Sequence, residues 1–159
     1  MKGTGASLRS TELLSRWLPV PPDPVFEAWI VPASVAKWWG PEGYSAKVLA
    51  IEPRPGGRYE IEMRSPDGEI DFMLGEIVKF ERPFALAIRF HSHCNIGLPE
   101  GVCRQEEVTL MQLELTEERG GTRLRLWQAP FASGYGDLAA ASWGQALEKL
   151  SQYLAERGN

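Results

Sequence analysis

Histidine and cysteine are scarce in this sequence, with two of each among 159 residues. So few soft ligands and thiols leave zinc fingers, disulfide scaffolds and proteases without their working groups. Positive charge is short as well: 17 Lys and Arg stand against 21 Asp and Glu, a net charge of −4, and the basic residues are scattered. With no basic run or stripe to neutralise phosphates, nucleic-acid binding is disfavoured. No apolar run reaches the length of a membrane span, and Met1–Ser15 holds no apolar signal-peptide core. The expectation is a cytoplasmic protein without membrane contact, its Cys94 and Cys103 reduced. A Gly-x-Ser-x-Gly elbow, a phosphate loop, a dinucleotide fingerprint and a His-Glu-x-x-His pair are all missing, so no cofactor is expected.

Tryptophan, by contrast, is abundant, with six residues in a chain that is 43% hydrophobic and 24% charged. That balance belongs to an ordinary globular protein. The length suits one domain, taken as residues 8–159 behind a disordered stretch at 1–7. From Tyr135 to about Arg157, Ala139, Trp143, Ala146, Leu147, Leu150, Tyr153 and Leu154 recur at steps of three and four. This spacing draws one apolar stripe on a long helix, with Gly144 inside it.

The middle of the chain reads as antiparallel strands. Tyr59, Ile61 and Met63 alternate with charged residues over Arg58–Arg64, and Ser65-Pro66-Asp67-Gly68 forms a turn. Ile70, Phe72, Leu74, Val78 and Phe80 share one parity, and Leu86, Ile88 and Phe90 mark the next strand. Residues 108–116 and 122–129 form a hairpin across Arg119-Gly120-Gly121. Ahead of them, a region near 8–18 reads as an edge strand. Asp23 followed by Pro24 reads as a cap and first turn, predicting a short helix over Val25–Ile30 and a second over about Ala33–Trp38.

Several of these segments resemble a known family. Val25-Phe26-Glu27-Ala28-Trp29 with Pro32, Lys37-Trp38-Trp39-Gly40-Pro41, Arg54-Pro55-Gly56-Gly57-Arg58, Gly121-Thr122-Arg123-Leu124 and the closing helix resemble, in order, the heat-shock-chaperone ATPase activator-like family. It belongs to the START and birch-pollen-allergen-like (SRPBCC) superfamily. The resemblance implies an α+β helix-grip fold: a curved antiparallel sheet of about six to seven strands gripping the C-terminal helix, with a cavity between them. The superfamily includes lipid carriers, hormone receptors and polyketide cyclases, so the fold leaves the activity open. Residues 92–105 look longer than the family's usual connection.

On this reading the cavity lining is Tyr59, Ile61, Met63, Phe72, Leu74, Leu86, Ile88 and Phe90 from the strands. Leu124, Leu126, Trp143 and Leu147 complete it. The same pattern suits a filled core. Trp38 and Trp39 are adjacent and cannot share one helical face, so either one indole stands at a cavity mouth or both plug the open end of the sheet. Glu76 shares the parity of Phe72 and Leu74. An unbroken strand aims its carboxylate inward, as a weak acid/base candidate, whereas a bulge at Gly75 returns it to solvent. Arg16 poses the same question. His91, His93, Cys94 and Cys103 are weak candidates for a zinc site, set against a solvent loop with free thiols.

The expected function is therefore non-catalytic binding of a small apolar or aromatic ligand, with Glu76, Tyr59 or Arg16 as orienting groups. The alternatives are a polyketide-cyclase-like or hydrolytic enzyme using a cavity carboxylate, and a co-chaperone-like interaction module. The chaperone activator proper is similar only in its later domain and uses a separate N-terminal one, which weighs against the last. A homodimer through a sheet edge stays open.

Overall fold

The structure, a computed structural model, describes residues 12–95, 109–129 and 135–157, with the side chains of 91–95 and 135–138 outside that description. Its first strand, β1 (Glu12–Leu18), is followed by two short helices, α1 (Pro22–Ile30) and α2 (Pro32–Trp38). Proline punctuates both. Pro22 and Pro24 lie in the first turn of α1, where backbone N–H groups have no intrahelical acceptor to lose. The helix therefore starts earlier than the expected Val25, and Asp23 is a first-turn residue bonded to Arg82, not a cap. Val31 precedes Pro32 and adopts an extended conformation, with ψ 119°, which closes α1 and opens α2.

Six further strands follow: β2 (Ser45–Ile51), β3 (Arg58–Arg64), β4 (Ile70–Glu81), β5 (Ala85–Asn95), β6 (Thr109–Glu118) and β7 (Gly121–Ala129). They join β1 in one seven-stranded sheet of order β1-β7-β6-β5-β4-β3-β2. Every neighbouring pair is antiparallel. Consecutive strands from β2 to β7 are hairpin neighbours, while the α1–α2 connection carries the chain from one edge of the sheet to the other. The 65–68 turn forms as its residues require: Gly68 N–H donates to Ser65 at 2.9 Å, with Gly68 at φ 90°. Sequence pattern did not locate β2, whose Val48–Ala50 step is broken by a bulge.

The long helix α3 (Tyr135–Arg157) buries Trp143, Ala146, Leu147, Leu150 and Leu154 against one face of the curved sheet. The expected stripe is the buried face. Helices α1 and α2 close the remaining side of this core with Val25, Phe26, Trp29, Val35 and Trp38, all fully buried. The helix-grip architecture inferred from the sequence is thus the architecture present.

One parity expectation is corrected. Phe72 pairs with Glu62 and Leu74 with Glu60, whereas Met73 pairs with the buried Ile61 and Gly75 with the buried Tyr59. Phe72 and Leu74 therefore lie on the outer face of β4, not in the lining. The cause sits further along the strand. Ile77 pairs with Ile88 and Lys79 with Ala87, so Val78 is an extra residue bulged out of the ladder and exposed. A bulge inverts the phase of alternation. Phe80, opposite Leu86, returns inward, and reading back from it through Val78 mis-phases every residue upstream.

Candidate functional site

The tryptophans converge at one end of the core. Trp29 of α1 lies edge-on to Trp38 at a ring separation of 4.6 Å and stacks on Trp143 of α3 at 5.8 Å and 27°. Trp39 meets Trp143 edge-on at 5.2 Å and Tyr59 at 5.8 Å, and Tyr59 reaches Phe90 at 6.4 Å. Edge-on and offset contacts suit the ring quadrupoles. Neither member of the Trp38–Trp39 pair turns away to a mouth. Helix α2 ends at Trp38, Trp39 is already extended, and both indoles enter the core.

Helix ends explain how these rings are held. The last carbonyls of a helix have no intrahelical donors. At the end of α1, Trp38 Nε1 donates to the Ala28 carbonyl at 3.0 Å, and the Tyr59 hydroxyl donates to the Trp29 carbonyl at 2.6 Å. Burial pushes the Tyr59 phenol well above its ordinary value, so it stays protonated and fixed as a donor. Beyond α2, the Lys149 ammonium donates to the carbonyls of Trp39, Gly40, Pro41 and Tyr44 at 3.2–3.5 Å. The Gln145 amide oxygen accepts from Glu42 N–H at 3.0 Å. Helix α3 thereby ties down the loop that carries Trp39. These residues also border a groove of about 340 Å³ on the outer side of α3, lined by Glu42, Ala141, Gly144, Gln145, Glu148, Lys149 and Gln152.

A short polar chain runs through the apolar interior. Trp143 Nε1 donates to Gln128 Oε1 at 2.8 Å, and Gln128 Nε2 donates to Thr109 Oγ1 at 2.9 Å. Gln128 follows Leu124 and Leu126 on the inner face of β7 and is buried like them. Trp29 Nε1, by contrast, is buried with no hydrogen-bond partner among the described residues. Trp29, Thr109, Gln128 and Lys149 were not picked out as site residues from the sequence. A legible sign existed for Gln128, a polar residue on an inward parity.

The expected lining residues other than Phe72 and Leu74 come together: Trp38, Trp39, Tyr59, Ile61, Leu86, Ile88, Phe90, Leu124, Leu126, Trp143 and Leu147 are buried in one cluster, with Met63 packed against it. Glu76 is on the other face. Its carboxylate accepts from Arg89 at 3.2 Å, and the side chain is 41% exposed. Gly75 does not bulge. Its β3 partners run in unbroken register, and the step in β5 falls between Phe90 and Ser92. Arg16 stands opposite the buried Leu124 and reaches across to Glu148 of α3, where it forms an ion pair. Of the proposed zinc ligands, Cys103 and the side chains of His91, His93 and Cys94 lie outside the described residues. Among the described residues, no three His, Cys, Asp or Glu side chains are grouped to hold a metal, and no helix is long and apolar enough to cross a membrane.

Against known proteins, residues 19–155 match the family model for activator of Hsp90 ATPase homolog 1-like protein. The chain belongs to that family. Among solved structures, a protein from Chromobacterium violaceum is 25% identical, with 87% of this chain and 93% of that one covered and a TM-score of 0.71. The AHSA1 protein from Silicibacter pomeroyi, at 20% identity, covers 91% of this chain and 96% of its own, with a TM-score of 0.75. A Nitrosomonas europaea protein at 21% identity, covering 91% and 93%, also scores 0.75. No curated protein matches the sequence. The fold of the present chain is thus shared by solved structures of low sequence identity.

Proposed function

We propose that the protein binds a small apolar or aromatic molecule between the concave face of the sheet and α3, at the end of the core bounded by Trp29, Trp143 and Gln128, and does not transform it. The carrying observation is the buried chain Thr109–Gln128–Trp143 within an otherwise apolar, ring-lined interior. Small-molecule sites combine an apolar wall with a few placed polar groups, and this end of the core has both. The acid/base role weighed for Glu76 loses its support, because that carboxylate pairs with Arg89 on the opposite face of the sheet. The four buried polar side chains described, Ser34, Thr109, Thr122 and Gln128, are all uncharged.

A docking role of the kind named in the family's description would draw on exposed apolar surface. Here the exposed large apolar side chains described are Trp17 and Leu49 on opposite edges of the sheet, Val78 on β4 and Phe84 in the β4–β5 turn; their spread over four separate segments favours the ligand-binding reading.

Native mass spectrometry of the purified protein, followed by a thermal-shift screen of neutral aromatic compounds, tests the proposal. An adduct lost on denaturation, or a Tm that rises with compound concentration by mass action, is the expected result. Absence of any adduct together with an unmoved Tm across the screen would overturn it.

A further inference from the structure

The buried indole of Trp29 has a specific chemical requirement. Its Nε1–H is a donor with no acceptor character, and it is fully enclosed without a partner among the described residues. Leaving such a group unpaired costs about 1–3 kcal/mol, and native structures rarely tolerate it without a reason. Other acceptors of this cluster already hold a donor: the Ala28 carbonyl holds Trp38, the Trp29 carbonyl Tyr59, and Gln128 Oε1 Trp143. Trp29 packs against the rings of Trp38, Trp39 and Trp143. A water molecule is a poor occupant there, because an ordered buried water needs two to four polar partners and rings supply none.

We infer that the molecule bound at this site is uncharged and presents a hydrogen-bond acceptor, a carbonyl or ether oxygen, to Trp29 Nε1. The inference rests on the ligand-binding reading above and narrows it to a chemical class. A single acceptor on a flat apolar body meets both demands of the site, satisfying the orphan N–H and covering the aromatic faces. Formal charge is selected against. Among the described residues, no Asp, Glu, Lys, Arg or His side chain is buried to neutralise it. An ion stripped of water without a counter-charge is strongly disfavoured. A pure hydrocarbon fits the rings and leaves the N–H unpaired.

The test compares 2-acetylnaphthalene with 2-isopropenylnaphthalene, two probes of nearly the same shape that differ in a carbonyl oxygen against a methylene. Affinities are measured by calorimetry on the full chain, and the indole N–H signals are followed in ¹H–¹⁵N spectra. The ketone is expected to bind about tenfold more tightly than the alkene. It should also move one indole signal downfield that the alkene leaves in place. That signal is assigned to Trp29 by its loss in Trp29→Phe, in which the ketone's advantage disappears while alkene binding persists. The comparison in the unsubstituted protein stands even if the variant folds poorly. Equal affinities for the two probes, or an advantage retained in Trp29→Phe, overturn the acceptor requirement and leave the ligand-binding reading intact. Failure of both probes, and of every other neutral aromatic, removes that reading and the inference with it.

Discussion

The phenol of Tyr59 donates a 2.6 Å hydrogen bond to the backbone carbonyl of Trp29, joining a strand of the sheet to the last turn of α1 across a fully buried contact. This bond satisfies a helix-end acceptor that neither water nor the helix can reach, and it places the Trp29 indole against Trp39 and Trp143.

Tyr59→Phe should therefore destabilise the fold by about 1–3 kcal/mol, since it strands a buried carbonyl while changing almost no volume. The pH dependence follows from the direction of the shift. The folded-state phenol is held above its ordinary value, so its contribution is fully present below about pH 10. It is lost as pH rises beyond that point, because only the unfolded chain can release the proton. Urea midpoints measured from pH 8 to 11 should fall more steeply for the parent protein than for Tyr59→Phe. Parallel curves would contradict the assignment.

Gly75 is a packing position. A Cβ there would sit 2.9 Å from Phe90 Cδ1 and 3.0 Å from the Arg89 carbonyl. Gly75→Ala should cost about 1–3 kcal/mol through overpacking in the centre of the sheet. Equilibrium denaturation reads this directly, and a loss below about 0.5 kcal/mol would show that β4 and β5 separate easily.

Gly144 behaves oppositely. It lies inside α3, and a Cβ added there meets nothing within 4 Å. Gly144→Ala is expected to stabilise the protein by about 1 kcal/mol through helix propensity alone. If stability drops instead, the groove above Gly144 holds something that needs the space.

Lys149 gathers the backbone carbonyls of Trp39, Gly40, Pro41 and Tyr44. Lys149→Met keeps the stem and removes the donors, so a loss of about 1–3 kcal/mol is expected. Proteolysis within the Gly40–Tyr44 loop should accelerate in the same variant. Unchanged cleavage would mean that the loop is held by other contacts.

Glu76→Gln should leave stability within about 0.5 kcal/mol, because an exposed ion pair contributes little. Ligand binding should be unaffected as well. A large loss of affinity measured by calorimetry would return Glu76 to the site.

Much of this protein was legible in one dimension. The three-and-four spacing of Trp143, Ala146, Leu147, Leu150 and Leu154 determined the gripping helix and its buried face. The alternation of Tyr59 and Ile61, the turn at Gly68 and the break at Pro32 determined most of the element order. These are properties of near neighbours along the chain, which is why pattern reading captured them.

Tertiary structure decided the rest. Whether Phe72 or Met73 faces the core depends on one bulged residue, Val78, and a bulge exists only relative to the partner strand. That Trp38 and Trp39 both turn inward depends on the chain leaving the helix between them. That Tyr59 and Trp143 find acceptors in the Trp29 carbonyl and Gln128, while Trp29 Nε1 has none among the described residues, is visible only in three dimensions. Sequence periodicity specifies the buried face only where an element runs unbroken, and the pairing of buried polar groups is settled by contacts between distant elements.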